Sequence, residues 1–208
     1  ALELSGNCTL DLNGKTLIIN NYTTGILIKN GASLTLNDSS EEKTGNIKHT
    51  WTIADDDAAY LKVKSARVNG FAVIGVGGIN TTTNTQTGDG ARNATFTMNG
   101  GTIEGNVTGI RVAAYSNVSI SEGCSITSNK GCGVFFGNSS AAGSTLTMTG
   151  GTITAKGDQA AIQVSGNTKD EENPVKINIS GNSQIIYDND NPTWTKDNSG
   201  NITGTSGN

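Results

Sequence analysis

Thr95-Phe96-Thr97-Met98-Asn99-Gly100-Gly101-Thr102-Ile103 decides the fold, because near-copies of it recur along the chain without repeating letter for letter. Thr145-Leu146-Thr147-Met148-Thr149-Gly150-Gly151-Thr152-Ile153 is the plainest copy. Residues 8–17, 117–126 and 176–185 carry looser ones, beginning Cys8-Thr9-Leu10-Asp11-Leu12, Asn117-Val118-Ser119-Ile120 and Lys176-Ile177-Asn178-Ile179. Each copy reads as a short alternating strand, a glycine-containing bend and a second short strand. A third strand follows in most of them: Ile26-Leu27-Ile28, Ile110-Arg111-Val112, Val134-Phe135-Phe136 and Ile162-Gln163-Val164. Three strands per repeat describe one rung of a coil.

The spacing selects the coil. Met98 to Ile120 spans 22 residues and Leu12 to Leu36 spans 24, while later intervals are stretched by loops. A left-handed hexapeptide helix would hold a tighter period with hexad regularity, so the repeat predicts an all-β, single-stranded right-handed parallel β-helix of about six three-stranded rungs. Asn-Gly pairs also suit two-residue hairpins. A run of hairpins, however, would explain neither the third strand nor the coil-length recurrence.

Alternation with a period of two places Leu10 and Leu12, Leu34 and Leu36, Phe96 and Met98, Val118 and Ile120, Leu146 and Met148, and Ile177 and Ile179 on one side of the first strand. The Thr, Ser, Asp and Asn residues between them face water. Gly14, Gly100, Gly123, Gly150 and Gly181 are the expected corner residues, where a sharp bend needs positive φ. Asn13, Asn37 and Asn99 are read as one equivalent corner position, suited to a structural ladder of side-chain amides.

Residues 1–187 are expected to form the β-helix, with an excursion at 48–70, and residues 188–208 a C-terminal tail that is either capping or disordered. Leu2 and Leu4 already alternate and are read as part of a preceding or capping rung, with any targeting segment outside this sequence. Three insertions, at 77–93, 138–144 and 165–173, fall between the third strand of one rung and the first of the next. That placement stacks them along one edge of the rod. Only 34% of the chain is hydrophobic, a level that suits a solenoid because its core is a thin tube.

The net charge of −4 and the absence of any Lys/Arg cluster argue against a nucleic-acid partner. No apolar run approaches the roughly 20 residues of a membrane span. Cys8, Cys124 and Cys132 are read as small inward thiols, with a bridge between Cys124 and Cys132 left open because both belong to one rung.

The rung pattern of residues 8–17 and the two Gly-Gly-Thr-Ile corners resemble the pectin-lyase-like right-handed β-helix superfamily, and more narrowly the Thr/Gly-rich modules of bacterial cell-surface proteins. The resemblance implies the fold. It leaves function open among polysaccharide lyases, glycoside hydrolases, adhesins and carbohydrate-binding modules.

A glycosidase needs two carboxylates about 5–9 Å apart, which here means acids at matching outward positions of adjacent rungs. The outward positions of the first strands hold Asp11 alone, and those of the third strands hold Leu27, Arg111, Phe135 and Gln163. Any catalytic acid would therefore come from the loops, with Asp89, Asp158 and Glu171 as the nominees. Arg111 is a poor base because its guanidinium stays protonated. His49 is read as a surface residue without a nucleophile partner. Asp55, Asp56 and Asp57 form the one acidic run and the single candidate for Ca²⁺; no other cofactor is expected.

The binding reading rests on scarce aromatics. Parity places Phe135 outside the third sheet, one rung from Arg111, with Gln163 in the next rung and Tyr115 in the adjoining turn. A flat ring beside planar donors suits a sugar. Trp51 and Tyr60 form a second candidate patch. Repeated outward Thr would also suit ice, but Asn117, Ser119 and Asp11 interrupt it. The sequence thus points to a monomeric, non-catalytic binding or adhesion module for a polysaccharide or host-surface glycan, extracellular or on the cell surface. A polysaccharide lyase or glycoside hydrolase and a structural stalk segment are the alternatives.

Overall fold

The computed structural model describes residues 2–20, 24–51, 72–77, 93–137, 141–157, 159–164 and 172–188, together with the main chain of 193–196 and 202–206. Strand β1 (Leu2–Leu4) precedes the first full rung, which is β2 (Asn7–Asp11), β3 (Thr16–Ile19) and β4 (Ile26–Ile28). The second rung is β5 (Ser33–Asn37), β6 (Asn46–His49) and β7 (Ala72–Val76), and the third is β8 (Thr95–Met98), β9 (Thr102–Gly105) and β10 (Thr108–Val112). Rung four follows as β11 (Asn117–Ile120), β12 (Ser125–Ser128) and β13 (Val134–Phe136), and rung five as β14 (Thr145–Met148), β15 (Thr152–Ala155) and β16 (Ile162–Val164). The sixth holds β17 (Lys176–Ile179) and β18 (Gln184–Tyr187). A separate antiparallel pair, β19 (Thr193–Lys196) and β20 (Ile202–Ser206), lies in the C-terminal region, whose remaining residues fall outside the described ones.

Strands three apart in the chain pair in parallel, giving three six-stranded sheets: A (β1-β4-β7-β10-β13-β16), B (β2-β5-β8-β11-β14-β17) and C (β3-β6-β9-β12-β15-β18). This is the parallel β-helix of three-stranded rungs that the repeat predicts. No helix occurs among the described residues. The insertions at 77–93, 138–144 and 165–173 each fall between the third strand of one rung and the first of the next, whereas β6 runs on through Lys48 and His49, where the excursion was expected to begin.

Sheets B and C show why so few apolar residues suffice. Their middle strands alternate buried and part-exposed positions, as in β8, β11 and β14. Phe96, Met98, Val118, Ile120, Leu146 and Met148 stack on one another inside the tube, at no more than 1% exposure. Each ring or chain covers the one below at the roughly 4.8 Å ladder spacing. Sheet A differs: β4, β7, β10 and β13 are buried at every position. A parallel sheet covered on both faces reads as a near-continuous apolar run.

Three details depart from the sequence reading. The register pairs Leu10, not Leu12, with Leu36, so the first interval is 26 residues rather than 24. Asn13 therefore leaves the amide ladder, in which Asn99 Nδ2 donates to Asn37 Oδ1 (3.1 Å), and Asp11 takes that column instead. In the Gly-Gly corners, positive φ falls on Gly101 (85°) and Gly151 (79°), the second glycine of each pair, while Gly14, Gly123 and Gly181 are as expected.

The second rung's B-to-C corner is built around a buried carboxylate. Asp38, 4% exposed, accepts hydrogen bonds from the Ser40 hydroxyl (2.7 Å), the Gly14 N–H (2.8 Å) and the Gly45 N–H (2.6 Å). Gly14 belongs to the rung below, so the carboxylate ties two rungs together. Burial raises the Asp38 pKa, but the donors from Ser40, Gly14 and Gly45 outweigh it and bring it to about 2. A pKa below the unfolded value of 3.8 stabilises the fold above pH 4, and that contribution is lost as pH falls through 2. Asp38→Asn is expected to lower the melting temperature at pH 7 and to flatten its decline between pH 4 and pH 2. An identical acid profile in the variant would show that this carboxylate does not hold the corner.

Candidate functional site

The outer face of sheet A brings the sequence-predicted ligand residues into line. Arg111 pairs with Phe135, and Phe135 with Gln163, so the three side chains occupy one column over rungs three to five. Tyr115 lies at the corner leading to sheet B. Its φ is 53°, its N–H donates to Ala142 O (2.8 Å), and its ring leaves no room for a methyl group on Gly143.

The column is not an open platform. Arg111 is 1% exposed and Phe135 8%, while Gln163 and Tyr115 are half-buried. Gly137 explains part of the closure, since a methyl group there would come within 2.5 Å of the Phe135 ring and 3.2 Å of Arg111 Nε. The physical reason is the column's own composition. Leu27 and Phe135 point outward, and a bare row of such side chains would cost stability that a covered row recovers. Burial pulls the Arg111 pKa down to about 10, which still leaves the guanidinium charged at neutral pH.

Cys132 belongs to this covered layer rather than to the tube interior where parity placed it. It is fully buried, and its thiol donates to Gln163 Oε1 (2.9 Å). Burial pushes its pKa up to about 12, so the thiol stays protonated. Cys124 does lie in the central cluster, with Sγ 3.2 Å from Met98 O. No disulfide joins Cys8, Cys124 or Cys132, so the bridge left open between Cys124 and Cys132 is not formed.

The second patch is also partly internal. His49, read as a surface residue, is 2% exposed because it occupies an inward column of sheet C between Ile19 and Gly105. The small Gly105 leaves space for the imidazole, and Trp51 meets it edge-on at 6.4 Å between ring centroids. Trp51 is half-buried against the core. Tyr60, the Asp55, Asp56 and Asp57 run, and the loop acids Asp89, Asp158 and Glu171 lie outside the described residues. Among the described residues no group of three His, Cys, Asp or Glu is placed to hold a metal, and no helix is long and apolar enough to cross a membrane.

The open surface is on sheets B and C. On sheet B two outward columns run in register, Ser33, Thr95, Asn117 and Thr145 beside Thr35, Thr97, Ser119 and Thr147, all at least partly exposed. Sheet C carries Asn46, Thr102, Ser125 and Thr152 in one column and a Lys48–Glu104 ion pair (3.4 Å) in the other. The sequence showed these residues as outward. It did not show that sheet A would be closed and sheet B would be the open one.

Phe135→Ala is expected to lower stability by about 3 kcal/mol, near the lower end for a buried phenylalanine. Gln163→Ala, at a half-buried position, should cost less. The measurement is chemical denaturation followed by circular dichroism. An unchanged midpoint for Phe135→Ala would mean that the ring stands free of the covering layer.

In comparison with known proteins, the chain matches no family model, no curated protein and no solved structure. Its architecture is therefore established by the pairing of its own strands.

Proposed function

We propose that the chain is a non-catalytic binding module of a secreted or cell-surface protein that recognises a polysaccharide through the outer face of sheet B. The observation that carries this reading is the pair of register-matched columns of Ser, Thr and Asn on that face, with Tyr115 at its rim. Stacked strands repeat these hydroxyls and amides at about 4.8 Å, a step comparable with one sugar unit of an extended glycan. Short polar groups on a stiff sheet present donors and acceptors with little entropy to lose on binding. A half-buried tyrosine at the edge supplies the flat apolar surface that sugar rings stack on.

The catalytic alternatives require acids from the loops, since the outward columns of sheets B and C include only Asp11, which accepts from the Asn13 and Ser39 N–H groups, and the ion-paired Glu104. A retaining or inverting glycosidase needs a facing pair. The stalk reading draws support from the uniform stacking of the rungs, which suits a spacer equally well.

Affinity electrophoresis against neutral and acidic polysaccharides tests the proposal. At least one polysaccharide should retard the wild-type chain, and Thr35→Val combined with Thr97→Val and Thr147→Val should weaken retention by about tenfold or more, as loss of several hydrogen bonds would. The melting temperature should change little. Absence of retardation by every polysaccharide would favour the stalk, and release of reducing or unsaturated sugar ends would overturn the non-catalytic reading.

A further inference from the structure

Asn-Gly pairs stand at 13–14, 30–31, 69–70 and 99–100, the third of them outside the described residues. Glycine after asparagine leaves the next main-chain nitrogen unshielded, so that nitrogen can attack the asparagine side-chain carbonyl. By sequence the described pairs are equivalent. The fold treats them differently.

Asn13-Gly14 is locked. Positive φ on both residues (43° and 71°), with the Lys15 N–H donating to Leu12 O (2.8 Å), makes a type I′ turn. The Gly14 N–H, whose nitrogen would attack, donates to the buried Asp38 Oδ1 (2.8 Å). A carboxylate acceptor holds that N–H in place, and its negative charge opposes loss of the proton. Asn99-Gly100 is held as well. The Asn99 side-chain amide donates to Asn37 Oδ1 (3.1 Å) and its N–H to Leu36 O (2.9 Å). Buried Gly100 lies so close to rung two that a methyl group on it would meet the Asp38 N at 2.9 Å.

Asn30-Gly31 has none of these restraints. At the corner between β4 and β5, both residues are exposed, and nothing lies within 4 Å of a methyl group placed on Gly31. Among the described residues, neither the Asn30 side chain nor the Gly31 N–H takes part in a hydrogen bond. Positive φ on Gly31 (74°) but not on Asn30, with the Ala32 N–H donating to Lys29 O (3.0 Å), makes a type II turn. Types I and II differ by rotation of the central peptide, so the Asn30–Gly31 plane can swing while that hydrogen bond stays.

We propose that Asn30 is a modification site, where the fold permits a main-chain-assisted deamidation that it suppresses at Asn13 and Asn99. The Gly31 nitrogen loses its proton to water and bonds to Asn30 Cγ. The Cγ–Nδ2 bond breaks, ammonia leaves, and a five-membered succinimide closes. Water then opens the ring, giving isoaspartate by attack at the main-chain carbonyl and aspartate by attack at the side-chain carbonyl. Either product sets a new carboxylate beside Lys29 and three residues before Ser33, which lies on the open face of sheet B. Isoaspartate also lengthens the main chain between β4 and β5 by one atom. This chemistry is independent of what sheet B binds.

Timed incubation of the folded full chain in mildly alkaline buffer, followed by peptide mass spectrometry and isoaspartate-specific methylation, tests the proposal. Asn30 should convert about tenfold or more faster than Asn13 and Asn99, as expected where a hydrogen bond to a charged acceptor must first be broken. Isoaspartate should be among its products. In denaturant the three rates should converge. Conversion of Asn30 no faster than that of Asn13 or Asn99 in the folded chain overturns the proposal. So does a product that is aspartate alone, which means direct hydrolysis with no ring. The same ranking kept in denaturant also overturns it, by assigning the difference to neighbouring sequence rather than to the fold.

Discussion

Stacking of like on like inside a narrow tube is the constraint on which the rest of this structure depends. Because every strand is followed one rung later by a parallel partner, an inward residue is judged by the residue above and below it. Phe96, Val118 and Leu146 succeed one another in one column, Met98, Ile120 and Met148 in the next. Each buries its neighbour's face, so a handful of apolar side chains per rung excludes water along the whole rod. Main-chain ladders run beside them, and corner groups such as Asp38 and the stacked Ser116 and Ser144 satisfy donors that the turns leave open. Ser144 Oγ accepts from the Ser116 N–H (3.2 Å) and donates to Ala113 O (2.6 Å).

Most of this was legible in the sequence because strand parity is a strong signal. Rungs three to five were aligned correctly, with Met98 on Ile120 and Ile120 on Met148. Alignment of the first rung on its Asn-Gly corner gives a register two residues from the one its strands adopt. A slip of one residue would have turned the strand inside out, but a slip of two preserves every inward and outward assignment, so the pattern carries no trace of it. The Gly-Gly corners misled for a related reason: both glycines fit the composition, and only the geometry shows which one has positive φ.

The candidate site was less legible. Parity placed Arg111, Phe135 and Gln163 correctly on the outer side of sheet A, yet an outward position is exposed only when nothing else packs on it. The sign that sheet A was covered lay in its own letters. Leu27 and Phe135 stand where sheets B and C place Thr and Ser, and β4 and β13 read as unbroken apolar runs. The same inspection would have drawn attention to sheet B, whose outward hydroxyls remain accessible. His49 was missed because it sits in an inward column that Gly105 keeps roomy, an interplay between rungs far apart in the chain.

The fold stands on its inward columns, and the most direct measurement compares two neighbouring residues in the middle of the rod. Ile120 is 1% exposed between Met98 and Met148, while Ser119, on the outer face, lies between Thr97 and Thr147. Equilibrium unfolding of Ile120→Asp should show a loss above about 4 kcal/mol or no folded protein at all, because an unpaired charge enters the tube. Ser119→Asp should fall within about 0.5 kcal/mol of the wild type. Equal losses for the two substitutions would contradict the register on which the fold and the open face of sheet B both rest.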